Sequence, residues 1–328
     1  MHAKFAGKHI TLPVVPVAIL GMALLAGCGG GGGDSPPAVA TVTPATPTTT
    51  PTTPATPAAP TATGDTATDG FAWFNYRRSQ IGLSTLTRNT LIDTAAGGHS
   101  NYLRLNNTVS HEQVSGSPGF TGVTLVNRLT AAGYTLTGSY AAGEVISAAG
   151  DRSGFFHAEE LITAIYHRFA IFQPVFREIG TGASSTANYT YFTADFATTN
   201  GYGPGVGRGN VVVYPASGQT GVPVNFMSDS ESPDPVPNQN EVGYPISVHA
   251  DISTTVLVTA FTVKPRGGDN LPVRLLSAAT DADTQKTSAA AAAIVPLVRL
   301  AANTTYDVSF SGSVDSAAVT RNWSFTTK

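Results

Sequence analysis

Cysteine is almost missing from this 328-residue chain. Cys28 is the only one, which excludes an intramolecular disulfide. Charge is scarce too: Asp, Glu, Lys and Arg make up 12% of the residues, about half the usual share in soluble domains. No basic cluster stands out, so nothing points to nucleic acid as a partner. Long apolar runs are also lacking. The best candidate, Ile10 to Leu25, is too short for a confident membrane span and is interrupted by Pro13 and Pro16. No Ser/His/Asp arrangement with a nucleophile context is visible. Gly, Pro, Thr and Ala fill the place of the missing charge, a composition of tether, turns and β-structure. The hydrophobic share of 41% supports packed cores. The length predicts two folded units plus segments that do not fold.

The N-terminus carries a specific pattern. Lys4, Lys8 and His9 precede the apolar run, which ends in Leu25-Ala26-Gly27-Cys28. That ending resembles the lipobox of bacterial lipoproteins. The resemblance implies a signal peptide over 1–27 and a lipid-bearing (palmitate) Cys28 as the first mature residue, anchored to the cell envelope. Gly29, rather than Asp, after the cysteine favours the outer membrane where the host has two. Loss of residues 1–27 removes Lys4 and Lys8 and no acid, taking the net charge from −3 to −5. Residues 28–69 then read as a tether, with Gly29 to Gly33 consecutive and Pro51, Pro54, Pro57 and Pro60 recurring every third residue. This composition cannot bury enough apolar surface to offset chain entropy.

Residues 70–200 read as helices followed by strands, an α+β pattern. Phe71, Phe74, Tyr76, Arg77 and Ile81 have helical spacing, with Asp69 as the expected N-cap and Gly82 as the stop. A second helix is expected from Asn89 to Leu105, with Leu91, Ala95, Ala96, His99, Tyr102 and Leu103 along one broad face and His99 partly exposed. A third is expected over Thr124–Ala132 and a fourth over Ala158–Phe172. Strands follow at Glu178–Gly182 and Tyr189–Phe196.

The order of motifs resembles the CAP superfamily of cysteine-rich secretory, antigen 5 and pathogenesis-related 1 proteins, with the bacterial SCP-like branch nearest. The matching residues are Asn75, Arg77, Gly82, Leu83 and Leu86; Leu91 to Tyr102; Ser110-His111; Gly143-Glu144-Val145-Ile146, expected as a turn; Tyr166-His167-Arg168 with Ile171 and Pro174; Ile179-Gly180-Thr181-Gly182; and Tyr191 to Phe196. Val145 stands where the family has Asn, Tyr166 where it has Trp, and the eukaryotic disulfides are absent. The resemblance implies an α-β-α sandwich and a cleft lined by His111, Glu144 and His167. A further carboxylate from Glu159 or Glu160 would complete it, and His157 is near enough in sequence to approach it.

Two neutral imidazoles with a carboxylate and water suit Zn²⁺, and the same groups suit acid–base work. Glu144 reads equally well as a cleft carboxylate and as the acceptor that organises a turn. Residues 208–328 break into short apolar runs punctuated by Gly, Pro, Asn and Asp, the pattern of an all-β sandwich. Leu300 with Thr304, Thr305 and Tyr306, and Trp323-Ser324-Phe325-Thr326, resemble bacterial Ig-like domains. Trp323 and Phe325 fall on one face. The acidic stretch Asp229 to Asp234 reads as a solvated loop, and Ala289–Ala293 as a loop or one helical turn. Gly-rich residues 199–205 are expected to leave the two units free to move.

Three functions remain open at this point. One is an envelope lipoprotein whose cleft binds a lipid, glycan or peptide, with the Ig-like domain as spacer or docking module. The second is a metal-dependent or acid–base hydrolase. The third is a structural or adhesive protein. Cys28→Ser is expected to abolish incorporation of labelled palmitate and to release the chain from the membrane fraction; labelling that survives the substitution would remove the anchor.

Overall fold

The structure, a computed structural model, describes residues 58–281 and 286–328. The signal segment, Cys28 and most of the tether lie outside the described residues. None of the helices among them is long and apolar enough to cross a membrane.

Helix α1 (Thr66–Gln80) begins earlier than its apolar spacing suggests. Asp65, not Asp69, caps it by accepting from the Thr68 amide. Asp69 is buried instead and accepts from Thr63 and the Gly64 amide. Gly82 ends the helix at φ +78°, where a side chain would be strained. A short strand β1 (Thr87–Arg88) leads into α2 (Thr90–Asn106), capped by Asn89. Helix α3 (Leu125–Ala131) starts in a Thr124–Asn127 capping box.

Residues 143–146, expected as a turn, lie inside strand β2 (Ala141–Ala149). All nine residues of β2 are buried, because helices cover both faces of the sheet. A strand buried on both sides shows no alternation, which is why the sequence hides it.

The helix expected over 158–172 is two helices, α4 (Gly154–Thr163) and α5 (Ile165–Ile171), broken at Ala164 with ψ 118°. The Arg168 guanidinium explains the break. It donates to the carbonyls of Ile162 (2.6 Å) and Thr163 (3.3 Å), which the end of α4 leaves without helical partners. Strands β3 (Glu178–Ser185) and β4 (Thr190–Thr198) complete a sheet of order β1-β3-β4-β2, antiparallel except for the β1–β3 pair.

Helices α2 and α3 lie on one face and α1, α4 and α5 on the other, an α-β-α sandwich. Gly180 and Gly182 make the first face possible. A Cβ on either would stand 2.2 Å from backbone nitrogens of α2, at Asp93 and Gly97 respectively.

The second half is β-rich. Strands β5 (Val212–Tyr214), β8 (Ile246–His249), β10 (Val273–Ser277) and β11 (Ala291–Pro296) form one sheet in the order β10-β11-β8-β5. Strands β9 (Val256–Pro265), β12 (Thr305–Val314) and β13 (Ala317–Thr326) form a second, and β6 (Asn225–Met227) pairs with β7 (Glu241–Gly243). Trp323 and Phe325 are core residues, as their spacing requires. The alanine run is not a loop or helical turn. Most of it belongs to β11, an interior strand whose six residues are all buried. Burial and cross-strand packing override the helical propensity of alanine.

The join between the halves is not loose. Phe172 and Phe176 share one hydrophobic cluster with Tyr214, Tyr244 and Ile246. Ile165, Tyr166 and Phe169 of α5 share another with Phe226, Val242, Leu276 and Val295. Arg168, fully buried, sits over the rings of Tyr214 (4.8 Å) and Tyr244 (5.0 Å) and donates to the Pro245 carbonyl at 2.7 Å. Glu231, from the stretch expected to be solvated, is buried. Its Oε1 accepts from the amides of Tyr166 (2.7 Å) and His167 (3.1 Å), so it caps a helix that has no side-chain cap of its own. Asp251 pins the connecting segment by accepting from the amides of Val206 and Gly207.

Gly182→Ala is expected to lower the denaturant midpoint by a shift worth about 1–3 kcal/mol or more, from forced overpacking. Gly97→Ala, at a helical position with open space around it, should instead gain up to about 1 kcal/mol.

Candidate functional site

Side chains alternate between the faces of a strand. On β2, Ala142, Glu144, Ile146 and Ala148 point towards α2 and α3, while Gly143, Val145 and Ser147 point the other way. Ile146 and Ala148 cluster with Tyr102 and Leu103 of α2, and Ala142 with Ile92 and Leu129. On the opposite face a Cβ at Gly143 would meet Ala170 of α5 and Phe176. Glu144 and helix α5 therefore lie on opposite sides of the sheet.

This parity divides the residues expected to converge. His111 and Glu144 do meet: His111 Nδ1 lies 2.7 Å from Glu144 Oε1. His167 belongs to α5 on the far face. Its Nδ1 lies 2.8 Å from Glu231 Oε1, so it joins the cap that ties the two halves together rather than the Glu144 cluster. Glu159 is also elsewhere, ion-paired to Arg77 at 2.9 Å and accepting from Trp73 Nε1 at 2.6 Å. Glu160, on the same helix, feels Glu159 and Lys328, and burial pushes its carboxyl up. His157 is buried between Ser147 Oγ (2.8 Å) and the Asp151 carbonyl (3.0 Å).

The cluster around Glu144 is built from groups that spacing alone does not single out. Arg128 of α3 places Nη2 2.5 Å from Glu144 Oε2, and its Nη1 donates to the His111 carbonyl at 2.9 Å. Arg128 thus holds both the carboxylate and the backbone of the histidine that contacts it. His99 of α2 is fully buried, not partly exposed. Its Nε2 donates to the Ser110 carbonyl (2.9 Å) and its Nδ1 accepts from Gln113 Nε2 (2.9 Å), which fixes a neutral tautomer. Gln113 Oε1 accepts in turn from the Thr121 amide at 2.7 Å. The loop that carries His111 is therefore stitched to α2 and to itself. Asp195 of β4 sits directly opposite Glu144 in the β2–β4 register.

The electrostatics follow from this packing. Burial alone would raise the Glu144 carboxyl. The nearby His99 ring, the Arg128 guanidinium and the His111 hydrogen bond overcome it and hold Glu144 well below the ordinary carboxylate range. Burial pushes the His99 ring down to about 4, against the opposing pull of Glu144. Burial, and then the charge of Glu144, push the Asp195 carboxyl well above its ordinary value.

The donor set does not fit a zinc ion. Among the described residues no group of three or more His, Cys, Asp or Glu side chains is placed to hold a metal. His111 and His167 are separated by the sheet, and a guanidinium already sits on Glu144. The cluster can instead hold a fixed negative charge in the protein interior and orient the His111 ring against it.

Residues 71–196 match the family model described as CAP, the cysteine-rich secretory protein family. A crystal structure of an extracellular protein containing an SCP domain, from Bacillus anthracis str. Ames, is similar at 26% identity and a TM-score of 0.34. That match covers 40% of this chain and spans 39% of the other. An outer surface protein of Borrelia burgdorferi is similar at 15% identity and a TM-score of 0.34, covering 40% of this chain and 90% of the other. No curated protein matches.

The His99 environment sets a pH dependence. A neutral folded ring with its titration near 4, against about 6.5 when unfolded, means that the unfolded chain binds the extra proton between those values. Stability should therefore fall as the pH drops from 6.5 to 4, by up to about 3 kcal/mol from this group. His99→Gln, compared by denaturant midpoints across that window, should show the shallower fall. An unchanged slope would show that His99 does not titrate as its burial requires.

Proposed function

Because residues 71–196 of this chain are a CAP domain, we propose that it serves as a cell-envelope lipoprotein, held by Cys28, whose CAP domain takes a small ligand at the His111 edge of the cluster. The observation that carries this reading is the gradient of exposure across one loop. His99, Arg128 and Asp195 are sealed, and His111 is the most exposed member of the cluster at 8%. The segment that begins with it exposes Val114 (67%), Phe120 (37%) and Val123 (41%). Gln113 pairs through its amide with the Val123 carbonyl, so Val114 and Val123 flank one inward-facing residue. Apolar side chains left in water beside a fixed imidazole–carboxylate pair suit a ligand with an apolar body and a polar end. Among lipid, glycan and peptide, a lipid has that character most fully.

The β-sandwich acts in this reading as a rigid docking extension rather than a spacer, since it shares a core with the CAP domain. The hydrolase alternative would use the same His111–Glu144 pair to activate water.

Titration of the full chain with a dansylated fatty acid tests the proposal. Saturable binding is expected, weakened about tenfold or more, about 1.4 kcal/mol, by Val114→Asp or Phe120→Asp. Binding that is absent, or indifferent to both substitutions, would leave the loop without a ligand role.

A further inference from the structure

The cluster around Glu144 contains two carboxyl groups and one guanidinium, all buried. Asp195 is completely buried, and neither of its oxygens has a hydrogen-bond partner. Its position makes this informative. It stands directly across from Glu144 on the adjacent strand, on the same face of the sheet. On its other side the register partner is Gly180, which has no side chain. Two carboxylates that face one another are both acceptors, and no bond forms between them unless a proton lies between. An ionised Asp195 would be an uncompensated charge in the interior beside a second negative charge, an arrangement that proteins avoid by protonation.

The surrounding groups leave the proton as the solution. From α3, the two Nη atoms of Arg128 are committed to Glu144 and to the carbonyls of His111 and Val123, and its buried Nε makes no hydrogen bond to Asp195. From α2, His99 is neutral and bonded at both nitrogens, and Asp93 is turned to Arg88 and the Thr181 amide. From the loop, His111 Nδ1 is on Glu144. From β3, Glu178 bonds to Asn89 and Tyr134.

We infer that Arg128 is the resident counter-ion of Glu144, and that Asp195 stands beside it as a neutral carboxylic acid that donates its O–H to Glu144. Asp195 is then a positioning residue. With Arg128 and His111 it fixes the carboxylate from a third side and so fixes the ring that Glu144 holds. The site is an arginine–carboxylate–carboxylic acid unit and not a metal cradle. This inference stands on the packing alone and is independent of whether the loop binds a lipid.

Carbon-13 labelling of aspartate carboxyls in the full chain tests it at neutral pH. One aspartate resonance should lie at the protonated-acid position, stay there on addition of Zn²⁺, and disappear in Asp195→Asn. Absence of such a resonance, or its movement to the carboxylate position with zinc, overturns the inference. A protonated-acid resonance that survives Asp195→Asn overturns it too. Thermal melts supply a second reading. The unfolded chain releases the Asp195 proton above about pH 4 while the folded chain keeps it, so this group lowers stability as pH rises. Asp195→Asn keeps the donor and removes the penalty. Its melting temperature relative to wild type should therefore climb between pH 4 and 8. A relative melting temperature that falls over that range identifies a working carboxylate and overturns the inference.

Discussion

The backbone of α2 lies directly on the sheet, and much else follows from that contact. Gly180 and Gly182 admit the helix to a distance at which no other residue would fit. Water is thereby excluded from everything beneath it, and every polar group on that face must find its partner inside the protein. Ser100 bonds to Thr193 and to the Gly182 carbonyl, His99 to Ser110 and Gln113, and Glu144 to Arg128 and His111. The polar network follows from a steric fit. A looser helix would have admitted solvent, and the same side chains would carry no unusual electrostatics.

The second constraint is the parity of β2. One residue of offset decides whether a side chain meets α2 or α5, and no movement short of a register slip alters the choice. Glu144 falls on one side and Gly143 on the other, and this separates His111 from His167. Family order along the chain groups the two histidines, but the alternation of the strand parts them.

The elements that proved most legible were those with one wet face or a clear breaker. The broad apolar stripe of α2, the stop at Gly82 and the shared face of Trp323 and Phe325 all carry a period or a breaker that sequence displays directly. Two strands buried on both sides were not legible, although β4, equally buried, was. The middle of β2 read as a turn and the alanine half of β11 as a loop or one helical turn, because neither alternates. The cluster was half legible. His111 and Glu144 lie in motifs, whereas Arg128 sits in an unremarkable helical turn and its role depends on where α3 lands. Asp195 did leave a trace: an acid inside the otherwise apolar and hydroxylated run Tyr189 to Phe196, in a chain short of charge, needs a special environment. Glu231 was hidden for a different reason. Its acidic neighbours suggested solvent, and its partner lies 65 positions earlier in the chain.

That separation has a bearing on the order of events during synthesis. A ribosome delivers Ile165–Ile171 well before it delivers Glu231, so the amides at the start of α5 wait for their acceptor while a further stretch of chain is made. The apolar side of the same helix waits equally for Phe226, Val242 and Val295. The first half on its own therefore leaves its last helix without its amide cap and with one apolar side uncovered.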